Sequence, residues 1–154
     1  MTEQDTPRAA LGDHPDYVVA IGMAAGEMAL LENLLGRLLG AVLGVAPAIG
    51  QAIYLSSHTP FGRVATLDIT AAKALAANAP LLDAVKSLTK RARELLQRQN
   101  ELPLEIWSAV GDAAAGAAGK IAEDTARLSA HAAQIRALGD EVRIVIESAL
   151  TTHA

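Results

Sequence analysis

The chain contains no cysteine. That absence excludes a disulfide framework, a thiol nucleophile and a cysteine-ligated zinc, and it agrees with a reducing compartment. Aromatics are scarce too, with one Phe, one Trp and two Tyr among 154 residues. Sheets draw on aromatic and β-branched side chains to pack their faces, so the shortage weighs against a β fold. Positive charge is also in deficit, since the formal net charge is −4. A protein that grips nucleic acid through its phosphates normally shows a basic excess, which leaves any RNA contact to a local patch. The segment from Met1 to Thr6 has neither the basic start nor the apolar run of a signal peptide, and the protein is expected in the cytoplasm. One long stretch, Leu38 to Gly62, lacks Asp, Glu, Lys and Arg. Pro47 falls inside it and its second half turns polar, so it is expected to form a buried corner between helices rather than a membrane span.

What the chain does have is apolar residues at 51%, most of them Ala, Leu, Ile and Val. Ala and Leu are the strongest helix formers. The expected fold is all-α: a single-domain bundle of about five helices over residues 15–150, with a flexible tail at 1–14 and a short one at 151–154. Pro15, Pro47, Pro60 and Pro80 each stand where a helix can begin, because proline's missing N–H would be unpaired there anyway. Thr59, and Asp13 or His14, are candidate caps. The spacing predicts helices at 16–44, 47–56, 60–78, 80–102 and 117–150. Pro103 is expected to end the fourth, leaving a short Leu104–Val110 piece and a Gly/Ala stretch at 111–119. Residues three and four apart, most of them apolar or small, draw a stripe on the first helix (Ile21, Ala24, Met28, Leu31, Leu35, Leu38, Val42, Val45) and on the last (Ile121, Thr125, Leu128, Ala132, Ile135, Gly139, Val142, Ile146, Ala149). Leu30, Leu34 and Leu39 widen the first stripe, which predicts packing on more than one side.

Few residues carry a chemical signal. Gly36, Gly40 and Gly44 recur every four residues on one ridge, where bare backbone lets a second helix come close; the expected use is tight packing inside the bundle or across a dimer. Lys86, Lys90 and Arg93 share a face of the fourth helix and offer a stripe for RNA phosphates. The alternative is a solvated face on which Glu94 pairs with Lys90 and Arg98. His14, His58, His131 and His153 have no partner at metal-ligand spacing, so no metal or cofactor is expected. His14 and His153 fall in the tails, His131 lies one position off the last stripe, and His58 occupies the corner before Thr59-Pro60. Trp107 is expected to plug one end of the core, with Arg98 and Asn100 capping carbonyls or lining a polar pocket. No phosphate loop, nucleophile elbow, zinc-protease or calcium-loop motif is present.

The segment Arg98-Gln-Asn-Glu-Leu-Pro-Leu-Glu-Ile-Trp107 resembles the signature of HEPN-like helical domains in small bacterial proteins. There a helix ends in Arg-Asn, followed shortly by Val-His-Gly and then Trp. Glu27-Met-Ala-Leu-Leu-Glu-Asn33 is similar to the family's first helix, and Ile135 to Val142 to its C-terminal helix, so the likeness spans residues 17–150. The resemblance implies a bundle that dimerises. In active relatives a paired Arg and His cleave RNA, the Arg orienting phosphate and the His moving a proton. Here Leu104 occupies the His position, and Pro103 and Glu105 replace its neighbours, which implies a degenerate, non-catalytic member. The likeness also suggests that Glu32 approaches Arg98 and Asn100 as a polar partner.

These readings lead to a non-catalytic HEPN-like binding module, homodimeric, with a protein partner or weakly bound RNA. Family analogy suggests a toxin–antitoxin or phage-defence setting. Two alternatives stand beside it. One is a metal-independent ribonuclease in which His58 substitutes for the missing histidine. The other is a purely structural oligomer built on the Gly36/Gly40/Gly44 ridge.

Overall fold

A computed structural model describes residues 11–114 and 118–152 of the chain; the side chains of residues 103–118 lie outside that description. The described residues form five helices and no strand: α1 (Pro15–Leu43), α2 (Pro47–Leu55), α3 (Pro60–Ala74), α4 (Ala79–Ala114) and α5 (Ala118–Thr152). The all-α bundle with long first and last helices is what the composition predicts.

The helix ends follow from local chemistry. Pro15, Pro47 and Pro60 each occupy the first turn of a helix. Thr59 caps α3, its hydroxyl accepting from the Gly62 N–H at 3.1 Å. A side chain at Gly62 would place its Cβ 2.2 Å from the Ser57 hydroxyl oxygen and 2.8 Å from that of Thr59, so a larger residue there would push both hydroxyls aside and disturb the cap. Asn78 caps α4 by accepting from the Leu81 N–H at 3.2 Å. His14 makes no such bond at the start of α1. α1 ends at Gly44, whose left-handed backbone (φ 66°) lets the N–H groups of Gly44 and Val45 reach the carbonyls of Ala41 and Gly40, the usual way a helix turns out of its axis.

Several boundaries differ from expectation. α4 does not stop at Pro103 but continues to Ala114, absorbing the expected Leu104–Val110 piece. Proline deletes one backbone donor and crowds the carbonyl four residues back, at about 3 kcal/mol, yet the helical turns on either side persist. Of the expected tail at 1–14, residues 1–10 lie outside the described residues. Residues 11–14 make a turn closed by the His14 N–H on the Leu11 carbonyl at 3.0 Å, and Leu11 packs against buried apolar residues. At the other end α5 runs to Thr152, past the expected boundary at 150.

α1 and α5 form the central pair. Contacts pair Tyr17 with Ile121, Glu27 with Arg136, and Gly139 with Leu34; the numbers rise together, so these helices run parallel. α4 lies antiparallel on α5, since Arg91 meets Glu141 and Gln99 meets His131. α2 folds back on α1, and α3 bridges α1 and α4. The main core gathers Leu31, Leu35, Leu38, Val42, Leu67, Val85, Leu88, Ile135, Leu138 and Val142. A smaller cluster (Tyr17, Ala20, Ala24, Leu102, Ile121, Leu128, Ala132) closes the other end. The stripes of α1 and α5 are therefore the buried faces. On α4, Leu96 is buried and Leu95 only partly so. Leu34 and Leu39 are buried as expected, whereas Leu30 faces outward.

The glycine ridge is consumed inside the fold. A Cβ on Gly36 would lie 3.1 Å from the Gln51 side chain, and one on Gly40 would lie 3.4 Å from the Cα atoms of Pro47 and Gly50. From the other side, a Cβ on Gly50 would fall 2.4 Å from the Gly40 Cα. α1 and α2 thus touch backbone to backbone. Gly44 serves as the cap instead. Of the two expected uses of the ridge, packing inside the bundle is the one seen, and Gly36 and Gly40 are not open to a second copy.

Candidate functional site

The uncharged corner between Arg37 and Arg63 holds the first polar cluster. Arg63 of α3 donates to both carboxylate oxygens of Glu32 at 2.9 and 3.1 Å, and its Nε donates to the Ser57 carbonyl at 3.1 Å. Glu32 is therefore the partner of Arg63, not of Arg98 as the resemblance suggests. The sequence shows that Glu32 needs a cation but leaves helix rotation open, and α3 brings Arg63 nearer. Tyr54 lies fully buried beside the pair, its hydroxyl without a hydrogen-bond partner. Burial drives its acidity well below that of an ordinary phenol, Glu32 adds to the effect, and Arg63 opposes it. A cavity of about 200 Å³ opens here, lined by Ala29, Glu32, Asn33, Gln51, Tyr54 and Leu55.

The second cluster surrounds Arg98. It stands exposed on α4 beside a cleft of about 380 Å³ lined with Arg91, Glu94, Leu95 and Gln134. The histidine near it is His131 of α5, which sequence reasoning left aside. His131 is 2% exposed; its Nε2 meets the Gln99 Oε1 at 3.2 Å and its Nδ1 is buried without a partner. With the amide oxygen accepting, Nε2 carries the proton and Nδ1 is a bare acceptor. Burial lowers the His131 pKa below its ordinary value, and the charge of Arg98 lowers it further. The ring is shut away from solvent, and its surroundings favour the neutral form. Its place one position off the α5 stripe was the signal available in the sequence.

The other candidates scatter. His58 is exposed in the turn between α2 and α3 and shares no hydrogen bond or ion pair with Arg98. Asn100 is exposed one turn along from Leu96. Leu104, Pro103, Glu105 and Trp107 lie within α4 by backbone, their side chains outside the described residues; the residues 103–105 thus belong to a helix and not to a loop. Of the basic stripe, Lys86 and Lys90 are exposed, but Arg93 pairs with Asp68, whose other oxygen accepts from Thr89. Glu94 pairs with neither Lys90 nor Arg98 among the described residues. Other arginines are likewise matched: Arg91 with Glu141 (2.9 Å for one of two bonds), Arg136 with Glu27, Arg143 with Asp140 and Arg127 with Asp124. No group of three His, Asp or Glu that could hold a metal occurs among the described residues.

A different surface stands out instead. Val19, Met23 and Leu30 of α1 are 58%, 43% and 44% exposed, with Val18 bare beside them. Ala25, Gly26 and Ala29 fill the space between and are also exposed. α1 is long and apolar enough to cross a membrane by length and composition, though its inner side is the wall of the core.

No protein-family model, curated protein or solved structure matches the chain.

Proposed function

We propose that the chain is a non-catalytic helical interaction module that works as a homodimer in the cytoplasm. The observation that carries this reading is the bare apolar side of α1. A contiguous apolar surface on a small domain marks a site where another surface is meant to cover it. The pairing of the arginines supports the same reading. Arg63, Arg91, Arg93, Arg127, Arg136 and Arg143 are each matched to a carboxylate within the fold, which takes Arg91 and Arg93 out of the basic surface that α4 could offer to phosphates. RNA binding through Lys86 and Lys90 would then be weak and salt-sensitive. The HEPN-like signature from Arg98 to Trp107 points to the same class, because Leu104 cannot transfer a proton.

One observation favours a ribonuclease: a histidine does lie near Arg98. Against it stand the 2% exposure of His131 and its engagement with Gln99, since a general base must reach the proton it takes. Incubation of the purified chain with single-stranded RNA near neutral pH, with and without magnesium, separates the readings. The expected result is no cleavage above a buffer blank, and none gained by Leu104→His. General acid–base groups typically contribute roughly 10² to 10⁴ each, so an active site would be plain in this assay. Cutting abolished by Arg98→Ala together with either His58→Ala or His131→Ala would replace the module with an enzyme. Light scattering at tens of micromolar protein is expected to give twice the monomer mass.

A further inference from the structure

We infer that two copies of the chain join along α1 in antiparallel fashion, Asp16 of each copy facing Arg37 of the other. The inference rests on the homodimer proposed above and names the surface that forms it. Along α1 the positions Asp16, Val19, Met23, Gly26, Leu30, Asn33 and Arg37 alternate in steps of three and four, and all seven are exposed. Such spacing places residues on one straight seam, the pattern by which paired helices recognise each other. This seam lies roughly a third of a turn round the helix from the buried stripe.

The order of residues along the seam sets the occupant and its direction. The seam is apolar or small in the middle and charged at its two ends, with opposite signs. Neither Asp16 nor Arg37 has an ion pair with a described residue, although the carboxylates just off the seam are spoken for, Glu27 by Arg136 and Glu32 by Arg63. Gly26 lies ten residues after Asp16 and eleven before Arg37. A twofold axis beside Gly26 therefore brings Asp16 opposite the second copy's Arg37, Met23 opposite its Leu30, and repeats each pair by symmetry. A parallel arrangement would stack Asp16 on Asp16 and Arg37 on Arg37, which repels at both ends. Gly26 suits the crossing point, because nothing lies within 4 Å of where its Cβ atom would be. The backbone there is open to a neighbour. A lipid surface is a poorer occupant, since the seam carries full charges at both ends and Asn33 between them.

The chain's lack of cysteine makes the test direct. Asp16→Arg and Arg37→Asp are each expected to weaken the dimer roughly tenfold or more, by replacing two attractions with two repulsions. The double variant should recover wild-type affinity to within roughly threefold. Gly26→Cys, next to the axis, should give a disulfide-linked dimer under mild oxidation, while Ile144→Cys on α5 should not. Circular dichroism of each variant checks that the helices are intact. A dimer that ignores both charge reversals, or that cross-links through Ile144→Cys and not Gly26→Cys, overturns this seam and leaves the homodimer standing. A monomer in sedimentation equilibrium overturns both. A monomer that co-sediments with phosphatidylglycerol vesicles assigns the seam to a membrane and overturns the inference as well.

Discussion

The two halves of α1 are built from nearly the same residues yet live in opposite surroundings. From Leu34 to Val42 every residue but Arg37 is buried: Leu34 meets Gly139 of α5, Leu35 and Leu38 lie in the main core, and α2 is pressed onto Gly36 and Gly40. From Tyr17 to Gly26 only one side is covered, by a thin cluster in which Ala20, Ala24 and Ala132 do much of the filling. Gly22 and Gly26 meet nothing, where Gly36 and Gly40 meet another backbone. Glycines four apart thus mean two different things on one helix. Which pair is structural and which is open follows from where the chain turns back at Gly44.

The largest expected effect tests that contrast. Gly50→Ala would put a Cβ 2.3 Å from the Gly40 nitrogen and 2.4 Å from its Cα. Backbone cannot yield as a side-chain end can, so α1 and α2 must separate, at about 3 kcal/mol or more. Gly22→Ala meets open space and removes a flexible residue from a helix, which should stabilise by about 0.5–1 kcal/mol. Thermal or urea melts read both. Equal effects would mean that the hairpin is no tighter than the bare half.

Much of this fold is legible from the spacing of residues. The inner faces of α1 and α5 follow the three-four stripes, and three prolines and Thr59 mark helix starts. The seam on the outer side of α1 was hidden because apolar residues surround that helix, and periodicity does not tell Leu30 from Leu31 when both belong to apolar stripes. Only the positions of α2 and α5 leave one bare and the other in the core. Partners at long range were equally out of reach. Glu32 announces a need for a cation, but the choice of Arg63 over Arg98 depends on the path of the corner at 56–59. Pro103 misleads for a local reason: it lowers the odds of a helix without forbidding one.

The second prediction sharpens the comparison at the thin end, where His131 is buried next to Ala132 in sequence. Its folded pKa is depressed below the ordinary 6.5 by burial and by Arg98. The unfolded chain therefore binds a proton more readily than the folded one below that value. His131 contributes no penalty above pH 6.5, and stability is lost as pH falls from there through the depressed folded value. Protonation would add a second donor with no acceptor at Nδ1 and a positive charge beside Arg98. Urea midpoints between pH 8 and pH 5 should fall on the acid side for the wild type, and fall less for His131→Leu. An unchanged acid slope in the variant would show that the ring already reaches water.

The smallest effect belongs to the tightly packed end. The hydroxyl of Tyr54 is buried beside the Glu32–Arg63 pair and meets no acceptor or donor. A buried polar group in that condition has lost its water and gained nothing in return, so deleting it should cost nothing. Tyr54→Phe is expected to leave stability at neutral pH unchanged or to raise it by up to about 1 kcal/mol. The alkaline side gives a second readout. Burial, then Glu32, raise the phenol's pKa above its ordinary 10, despite the opposing charge of Arg63. The unfolded tyrosine would ionise first, so wild-type stability should fall as pH climbs past 10, and part of that fall should vanish in Tyr54→Phe. A loss of about 1 kcal/mol at neutral pH would instead mean that the hydroxyl holds a partner. The cavity between α1 and α2, lined by Glu32, Asn33 and Gln51, would then be a polar binding site, and the contrast between a closed half and an open half of α1 would fail.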